Sequence, residues 1–213
     1  MFLHDRVDGA IARVLLAHGA GAPMDHPWMN DFAGLLVDRR LSVARFEFGF
    51  MAARRTGAKL RPAPRGDKLV PEYVAAVEAL AQETGDGLPL LIGGKSLGGR
   101  VASLAAPELY AAGQIASVVC LGYPFHPPKK PESLRTAHLE TFDYPALIVQ
   151  GTRDPLGSRA EVEGYTLDPR IRVVWLEDGD HDLKPRRKSG FTHAAHLATA
   201  ADAIASMARA HRS

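Results

Sequence analysis

The chain has 213 residues, a length that fits a single domain covering residues 1–213. Its 26 basic and 24 acidic residues give a formal net charge of +2, which does not indicate binding to nucleic acid or to a membrane surface. The single cysteine, Cys120, excludes an intramolecular disulfide and a cysteine-based metal site, and is typical of a reduced, cytoplasmic protein.

Strand-like and helix-like patterns alternate along the chain. Apolar, β-rich runs predict strands at 12–17, 41–48, 88–93, 115–121, 146–150 and 171–176. Apolar residues at helical spacing predict helices at 29–36, from near Pro71, at 100–106 and at 192–210. The apolar runs are strand-sized, far below the ~20 residues that span a bilayer, so we expect no membrane segment. Residues 1–6 lack the pattern of a secretory signal.

Two longer segments show no periodicity. Residues 49–68 are rich in Arg, Gly and Pro and predict a long surface loop, which is uncommon unless it is functional or mobile. Residues 122–144 contain many prolines and lysines, with room for one short helix. The basic stretches 54–68 and 184–188 are interpreted as solvated loops, and a functional role for them stays open.

The alternation favours an α/β fold. Near-continuous apolar strands separated by helices indicate a mostly parallel, doubly wound sheet with helices on both faces. In such sheets ligands bind at the carboxyl ends of the strands, where several polar clusters of this chain lie. The segment between the strands at 115–121 and 146–150 is too short for a large lid domain. We therefore expect a compact domain with an open site.

The candidate nucleophile is Ser96, in the sequence Gly94-Lys95-Ser96-Leu97-Gly98. This G-x-S-x-G pattern is a nucleophile elbow when a strand precedes it and a helix follows it, and both are predicted here. Small residues at Gly94 and Gly98 leave room for the strained turn. The alternative is a phosphate-binding loop at a helix N-terminus, but the spacing does not fit that motif.

A serine hydroxyl needs a general base, which needs an orienting carboxylate, and in this architecture both follow the serine along the chain. The candidate base is His181, which follows a predicted strand and precedes the final helix. The other downstream histidines are His126, His138, His193, His196 and His211. We expect the last three at the surface of the final helix or its edge.

The candidate acid is Asp154, just beyond the strand at 146–150. Asp143 precedes the same strand and lies at the wrong edge of the sheet. Three further aspartates flank the candidate base and are poorly placed to reach its Nδ1: Asp178, Asp180 and Asp182. The alternative role for Asp154 is that of a turn residue before a proline.

An oxyanion site needs two backbone N–H groups that point at one oxygen. We expect the first from Leu97 and the second from Ala20, in the glycine-rich loop 18–22 after the first predicted strand. His18 in that loop is interpreted as a structural, hydrogen-bonded histidine. The residues expected to line the substrate pocket are Met24, Trp28, Tyr123, Phe125 and His126.

Several motifs in order resemble the α/β-hydrolase superfamily over nearly the whole chain. More narrowly, they resemble the dienelactone-hydrolase-related group that includes the Tex30/KANSL3-like proteins. The motifs lie at residues 18–27, 93–100, 121–128, 151–155 and 179–181. The resemblance implies the triad of Ser96, Asp154 and His181 and a compact α/β-hydrolase fold, but no particular substrate, and some relatives act in protein assemblies.

These residues predict a serine hydrolase, in the first place an esterase that acts on small or medium acyl substrates without a cofactor or metal. A related acyl-transfer or cofactor-free haloperoxidase reaction is a variant. The alternative is a non-catalytic binding or scaffold protein on the same fold. Four basic residues neighbour the acid and the base, and any that points into the cleft would favour an anionic ester: Arg153, Lys184, Arg186 and Arg187.

Overall fold

The computed structural model describes residues 1–57, 62–85 and 87–211. Within these residues one sheet has seven strands: β1 (Phe2–Asp5), β2 (Ala12–Ala17), β3 (Leu41–Phe46), β4 (Leu90–Lys95), β5 (Ser117–Leu121), β6 (Ala146–Gly151) and β7 (Ile171–Leu176). Their order is β1-β3-β2-β4-β5-β6-β7. The pair β1 and β3 is antiparallel and the other neighbours are parallel. The predicted mostly parallel sheet is confirmed.

Helices cover both faces of the sheet. They are α1 (Pro27–Val37), α2 (Gly49–Arg55), α3 (Gly66–Glu83), α4 (Leu97–Ala111), α5 (Arg159–Val162) and α6 (His193–Ala210), with a 3₁₀ turn at Ala137–Leu139. Helices α1 and α6 pack on one face, and α3 and α4 on the other. No helix in the described ranges is long and apolar enough to cross a bilayer.

The two cores explain the apolar character of the central strands. In β2, Val14 and Leu16 face the core under α1 and α6, whereas Leu15 and Ala17 face the core under α3 and α4. All four are fully buried. A strand covered on both faces needs apolar residues at every position, which produces the near-continuous runs seen in the sequence.

The order of the strands positions the candidate site. From β2 the chain passes to β3 on one side and later returns to β4 on the other side, and such a reversal opens a crevice at the carboxyl ends of the two strands. Residues 18–22 follow β2 and Ser96 follows β4, while Asp154 and His181 follow β6 and β7. The topology therefore brings all these residues to one edge of the sheet.

The prediction of a long loop at 49–68 is wrong at both ends. Helix α2 begins at Gly49 and α3 at Gly66, while residues 58–61 lie outside the described residues. The buried stripe of α3 extends back to Leu69, which is 1% exposed, so burial stabilises the turn before Pro71. Pro71 consequently lies inside the helix rather than at its start, despite the backbone hydrogen bond that a proline removes.

Other differences concern short or polar elements. Strand β1 is a four-residue edge strand without a buried residue, and α5 has only four residues, so neither has a periodic signal in the sequence. Helix α4 is longer than the predicted 100–106, because small residues after Ser96 pack closely against the sheet and the helix continues past Pro107.

Candidate active site

Ser96 lies in a tight turn between β4 and α4. Its backbone has φ 52° and ψ −113°, an unfavourable combination for a residue with a side chain. A Cβ atom on Gly94 would lie 2.3 Å from the Ala17 carbonyl oxygen, and one on Gly98 would lie 2.4 Å from the same atom. Only glycine fits at these two positions, and the turn holds Ser96 at the N-terminus of α4.

The structure brings Ser96, His181 and Asp154 together. The distance from Ser96 Oγ to His181 Nε2 is 2.8 Å, and the distance from His181 Nδ1 to Asp154 Oδ2 is also 2.8 Å. Since a carboxylate only accepts hydrogen bonds, the Nδ1 proton lies toward Asp154 and Nε2 is free to accept from the serine hydroxyl. The His181 side chain is 25% exposed, so a small molecule can approach this pair of residues.

Asp154 is fully buried and its carboxylate is fixed by two more donors. Gln150 Nε2 donates to Oδ2 at 2.9 Å, and the Leu156 N–H donates to Oδ1 at 2.8 Å. A buried carboxylate with three hydrogen-bond partners keeps one orientation, and that orientation sets the plane of the His181 ring.

The other aspartates have different partners. Asp178 contacts Arg153 at 2.8 Å and is hydrogen-bonded by Arg186, which lowers the pKa of Asp178 to about 2. Asp143 contacts Arg170 at 3.2 Å and is strongly exposed. Asp180 and Asp182 lie in the loop that follows β7, and Asp182 contacts Lys95 at 3.2 Å.

Lys95 is a feature of the site that the sequence analysis did not identify. Its Nζ donates to the His181 carbonyl oxygen at 2.7 Å and lies 5.8 Å from the centre of the Trp28 ring. Burial lowers the pKa of Lys95, while the carboxylate of Asp182 acts in the opposite direction. The G-x-S-x-G motif accepts any residue at this position. The only indication of a role for Lys95 in the sequence was therefore a basic residue beside the serine.

The loop after β2 is held by backbone and side-chain contacts. His18 is fully buried; its Nδ1 lies 2.7 Å from the Gly19 carbonyl oxygen, and its Nε2 accepts from the Phe48 N–H at 3.1 Å. Burial lowers the pKa of His18, which favours this neutral form. Arg54 Nη1 donates to the Ala20 carbonyl oxygen at 3.0 Å, so part of the basic stretch 54–68 supports this loop.

A cavity of about 620 Å³ opens over Ser96 and His181. It lies between the loop after β2, the start of α1, the loop after β7 and the start of α6. Of the residues predicted at the oxyanion site or the pocket, Ala20 and Trp28 line it. Further lining residues are Gly19, Gly21, Ala22, His26, Met29, Asp31, Lys95, Leu156, Asp182, Lys184 and His193.

The prediction that Tyr123 and Phe125 line the pocket is wrong. Both rings are fully buried and pack edge to face with centres 4.8 Å apart, because the chain after β5 turns into the core. His126 is 2% exposed and lies 3.4 Å from Glu161, so it does not border the cavity either. Met24 is not among the lining residues, and its N–H donates to Glu47 at 3.2 Å.

The histidines of the last helix also differ from expectation. His196 is 4% exposed, and its Nδ1 lies 2.9 Å from the Leu183 carbonyl oxygen, so the prediction of a surface position is wrong for it. The loop after His181 folds over the first turn of α6 and covers this ring. His193, at the start of the helix, lines the cavity.

The basic residues near Asp154 and His181 in sequence divide into two groups. Arg153 and Arg186 are held by Asp178 and do not line the cavity. Lys184 does line it, with Lys95 and two acidic residues. Arg187 is exposed and is also not a lining residue. The cavity wall thus carries charges of both signs.

A family model described as an alpha/beta hydrolase domain matches residues 10–209. The chain belongs to this alpha/beta hydrolase family. The match covers all the strands except β1 and includes every residue of the Ser96, His181 and Asp154 cluster.

Solved structures share the fold of this alpha/beta hydrolase. An alpha-beta serine hydrolase homologue from Coxiella burnetii has a TM-score of 0.70 at 16% identity, with 96% of this chain and 89% of that chain covered. A dienelactone hydrolase from Anabaena variabilis has a TM-score of 0.68 at 22% identity, with 97% and 89% covered. A serine hydrolase without a lid from Xanthomonas campestris has a TM-score of 0.68 at 18% identity, with 98% and 88% covered.

Proposed function

We propose that this alpha/beta hydrolase is a serine esterase, with Ser96 as nucleophile, His181 as general base and Asp154 as the orienting acid. The observation that carries the proposal is the continuous hydrogen-bonded path from Ser96 Oγ through the His181 ring to Asp154 Oδ2, with both distances at 2.8 Å. The path gives the hydroxyl a base and gives the base a fixed tautomer, which are the two requirements for an activated serine.

In the proposed reaction, Ser96 Oγ attacks the ester carbonyl carbon while its proton passes to His181 Nε2. Asp154 stabilises the imidazolium that forms. The tetrahedral intermediate collapses, and the alcohol leaves with the proton from Nε2. Water then attacks the acyl-enzyme with His181 again as base, which releases the carboxylic acid and restores Ser96.

The oxyanion of the intermediate would be held by the Leu97 and Ala20 N–H groups. Leu97 is the first residue of α4, and the first four N–H groups of a helix have no partner within the helix. Ala20 lines the same cavity as Ser96, and the contact of its carbonyl with Arg54 restricts the orientation of the loop. These features support a preorganised pair of donors.

The size of the cavity favours small or medium acyl groups. Its volume of about 620 Å³ lies within the range of small-molecule sites, and its wall combines Trp28 and Met29 with charged residues. A lipid site would need a more continuous apolar surface. The narrower resemblance to the Tex30/KANSL3-like group and the cytoplasmic location stay predictions.

The alternative of a non-catalytic scaffold has no observation in its favour. A fully buried Asp154 beside a histidine has a desolvation cost, which a scaffold has no reason to retain. A serine hydrolase retains it because the carboxylate orients the base.

A fluorophosphonate probe tests the proposal. We expect the wild-type protein to be labelled covalently and the Ser96→Ala protein not to be labelled at all. The matched control is Ser206→Ala, which removes an exposed hydroxyl on α6 and should leave labelling unchanged. Labelling of the Ser96→Ala protein, or no labelling of the wild-type protein, would show that the proposed nucleophile is wrong.

A further inference from the structure

A second cavity lies on the other side of the nucleophile turn. It has a volume of about 510 Å³ and is lined by Leu97, the residue after Ser96, and by Gly66, the first residue of α3. Three arginines also line it: Arg65, Arg100 and Arg135. None of the described residues that line this cavity is acidic.

One of these arginines, Arg100, is partly buried. Its Nε atom is buried and has no hydrogen-bond partner among the described residues. A Cβ atom on Gly66 would lie 2.6 Å from Arg100 Nη1, so the absence of a side chain at Gly66 makes room for the guanidinium. The guanidinium therefore lies against the first residue of α3, an 18-residue helix whose N-terminus carries partial positive charge.

The second cation, Arg135, is partly buried near Arg100. The pKa of Arg135 is lowered by burial and by the positive charge of Arg100. Arg65 differs, because it is mostly exposed and contacts Asp67 at 3.1 Å. Within the described residues, Arg100 and Arg135 have no carboxylate at ion-pair distance, whereas most arginines near the catalytic cavity are paired.

Positive charges that lie together beside a helix N-terminus repel one another, and an anion bound between them offsets this repulsion. We infer that this cavity binds a small anionic group, a carboxylate or a phosphate, between the guanidiniums of Arg100 and Arg135. Guanidinium groups bind such oxyanions through two parallel hydrogen bonds, and Ser133 at the rim adds a hydroxyl. Leu97, which lines the cavity, is adjacent to Ser96 in the chain, so the anion is either a free ion or a charged group of a substrate.

Inorganic phosphate is the probe for binding. Thermal unfolding is followed in buffers of equal ionic strength, with chloride replaced by phosphate, so that general screening is constant. We expect phosphate at ten times its dissociation constant to raise the midpoint of the wild-type protein by roughly 3–6 °C. Arg100→Gln and Arg135→Gln should each weaken phosphate binding by about tenfold or more.

The matched control is Arg209→Gln, which removes one exposed positive charge on α6 and should leave the phosphate response unchanged. Circular dichroism establishes that each variant is folded. Because two arginines are tested separately, the test remains valid if one of the two variants does not fold. An absent phosphate response in the wild-type protein would overturn the inference. An equal response in all three variants would overturn it as well.

Kinetics then separate the two sources of the anion, and this arm alone rests on the proposed esterase activity. If the site holds an anionic group of the substrate, phosphate should inhibit hydrolysis of a carboxylate-bearing ester but not of its neutral analogue, and Arg135→Gln should raise KM for the anionic ester only. If the site holds a free anion, phosphate binding should persist without this difference. The thermal result stands in either case, even if no ester is hydrolysed.

Discussion

Two histidines, His18 and His181, follow parallel strands at the same edge of the sheet, yet their ring nitrogens have different partners. Both nitrogens of His18 contact backbone groups, a carbonyl at 2.7 Å and the Phe48 N–H at 3.1 Å. In His181, Nδ1 contacts Asp154 and Nε2 contacts the hydroxyl of Ser96. His18 is also fully buried, whereas His181 is 25% exposed. The chemical role of a histidine at a strand end thus depends on its partners more than on its position.

The largest effect on kcat that we predict comes from replacing the His181 ring with an amide, and the same replacement at His18 is the comparison. His181→Gln should reduce kcat by about 10⁶, as expected when the base of a serine triad is lost. His18→Gln should reduce kcat less than tenfold, since a glutamine can still accept a hydrogen bond from the Phe48 N–H. Hydrolysis of p-nitrophenyl acetate measures both rates. Similar losses in the two variants would contradict the assignment of the base.

The next effect concerns the partner of His181. Asp154→Asn should reduce kcat by about 10⁴, because the amide favours the wrong tautomer of the ring. Asp31→Asn is the control, since Asp31 lines the same cavity and its loss changes the charge equally. We expect the control to retain at least a third of the activity. A loss below tenfold for Asp154→Asn would remove this residue from the mechanism.

The cluster that contains His181 could be predicted from the sequence. Ser96, Asp154 and His181 each follow a predicted strand, and parallel strands carry such residues to one edge of the sheet. Local rules were sufficient, because the glycines around Ser96 specify the turn and chain order specifies the partners.

Contacts between residues far apart in the chain could not be predicted in the same way. The contact between Lys95 and the His181 carbonyl joins residues that are 86 positions apart, and no local pattern encodes it. Tyr123 and Phe125 also follow a strand, as Ser96 does, but their rings turn into the core. For Phe125 the turn depends on Gly157, where a Cβ atom would lie 2.4 Å from the ring.

A smaller effect should follow from the loss of Lys95, which holds the backbone of His181 but not that of His18. Lys95→Met removes a charge-assisted hydrogen bond to the His181 carbonyl, and we expect kcat to fall by about 10- to 100-fold. Lys184→Met removes a charge from the same cavity without touching this carbonyl, and kcat should stay within about threefold. Steady-state kinetics on a neutral ester measure kcat and KM separately. An unchanged kcat for Lys95→Met would show that the contact does not position the base.

The smallest effect concerns stability under acid rather than catalysis. Burial lowers the pKa of His18 below its ordinary value of 6.5, so its contribution to stability is complete above that value and is lost as the pH falls through the lowered pKa. Protonation would also place an N–H of the ring against the Phe48 N–H, which is itself a donor.

Urea unfolding at pH 7 and pH 5 should therefore show a larger loss of free energy of unfolding for the wild-type protein than for His18→Gln. Subtracting the two curves cancels the contributions of His138 and His211, whose pKa values are also lowered by burial. An equal loss in the two proteins would mean that His18 has the same pKa in the folded and unfolded states. The contrast with His181 would then need a different explanation.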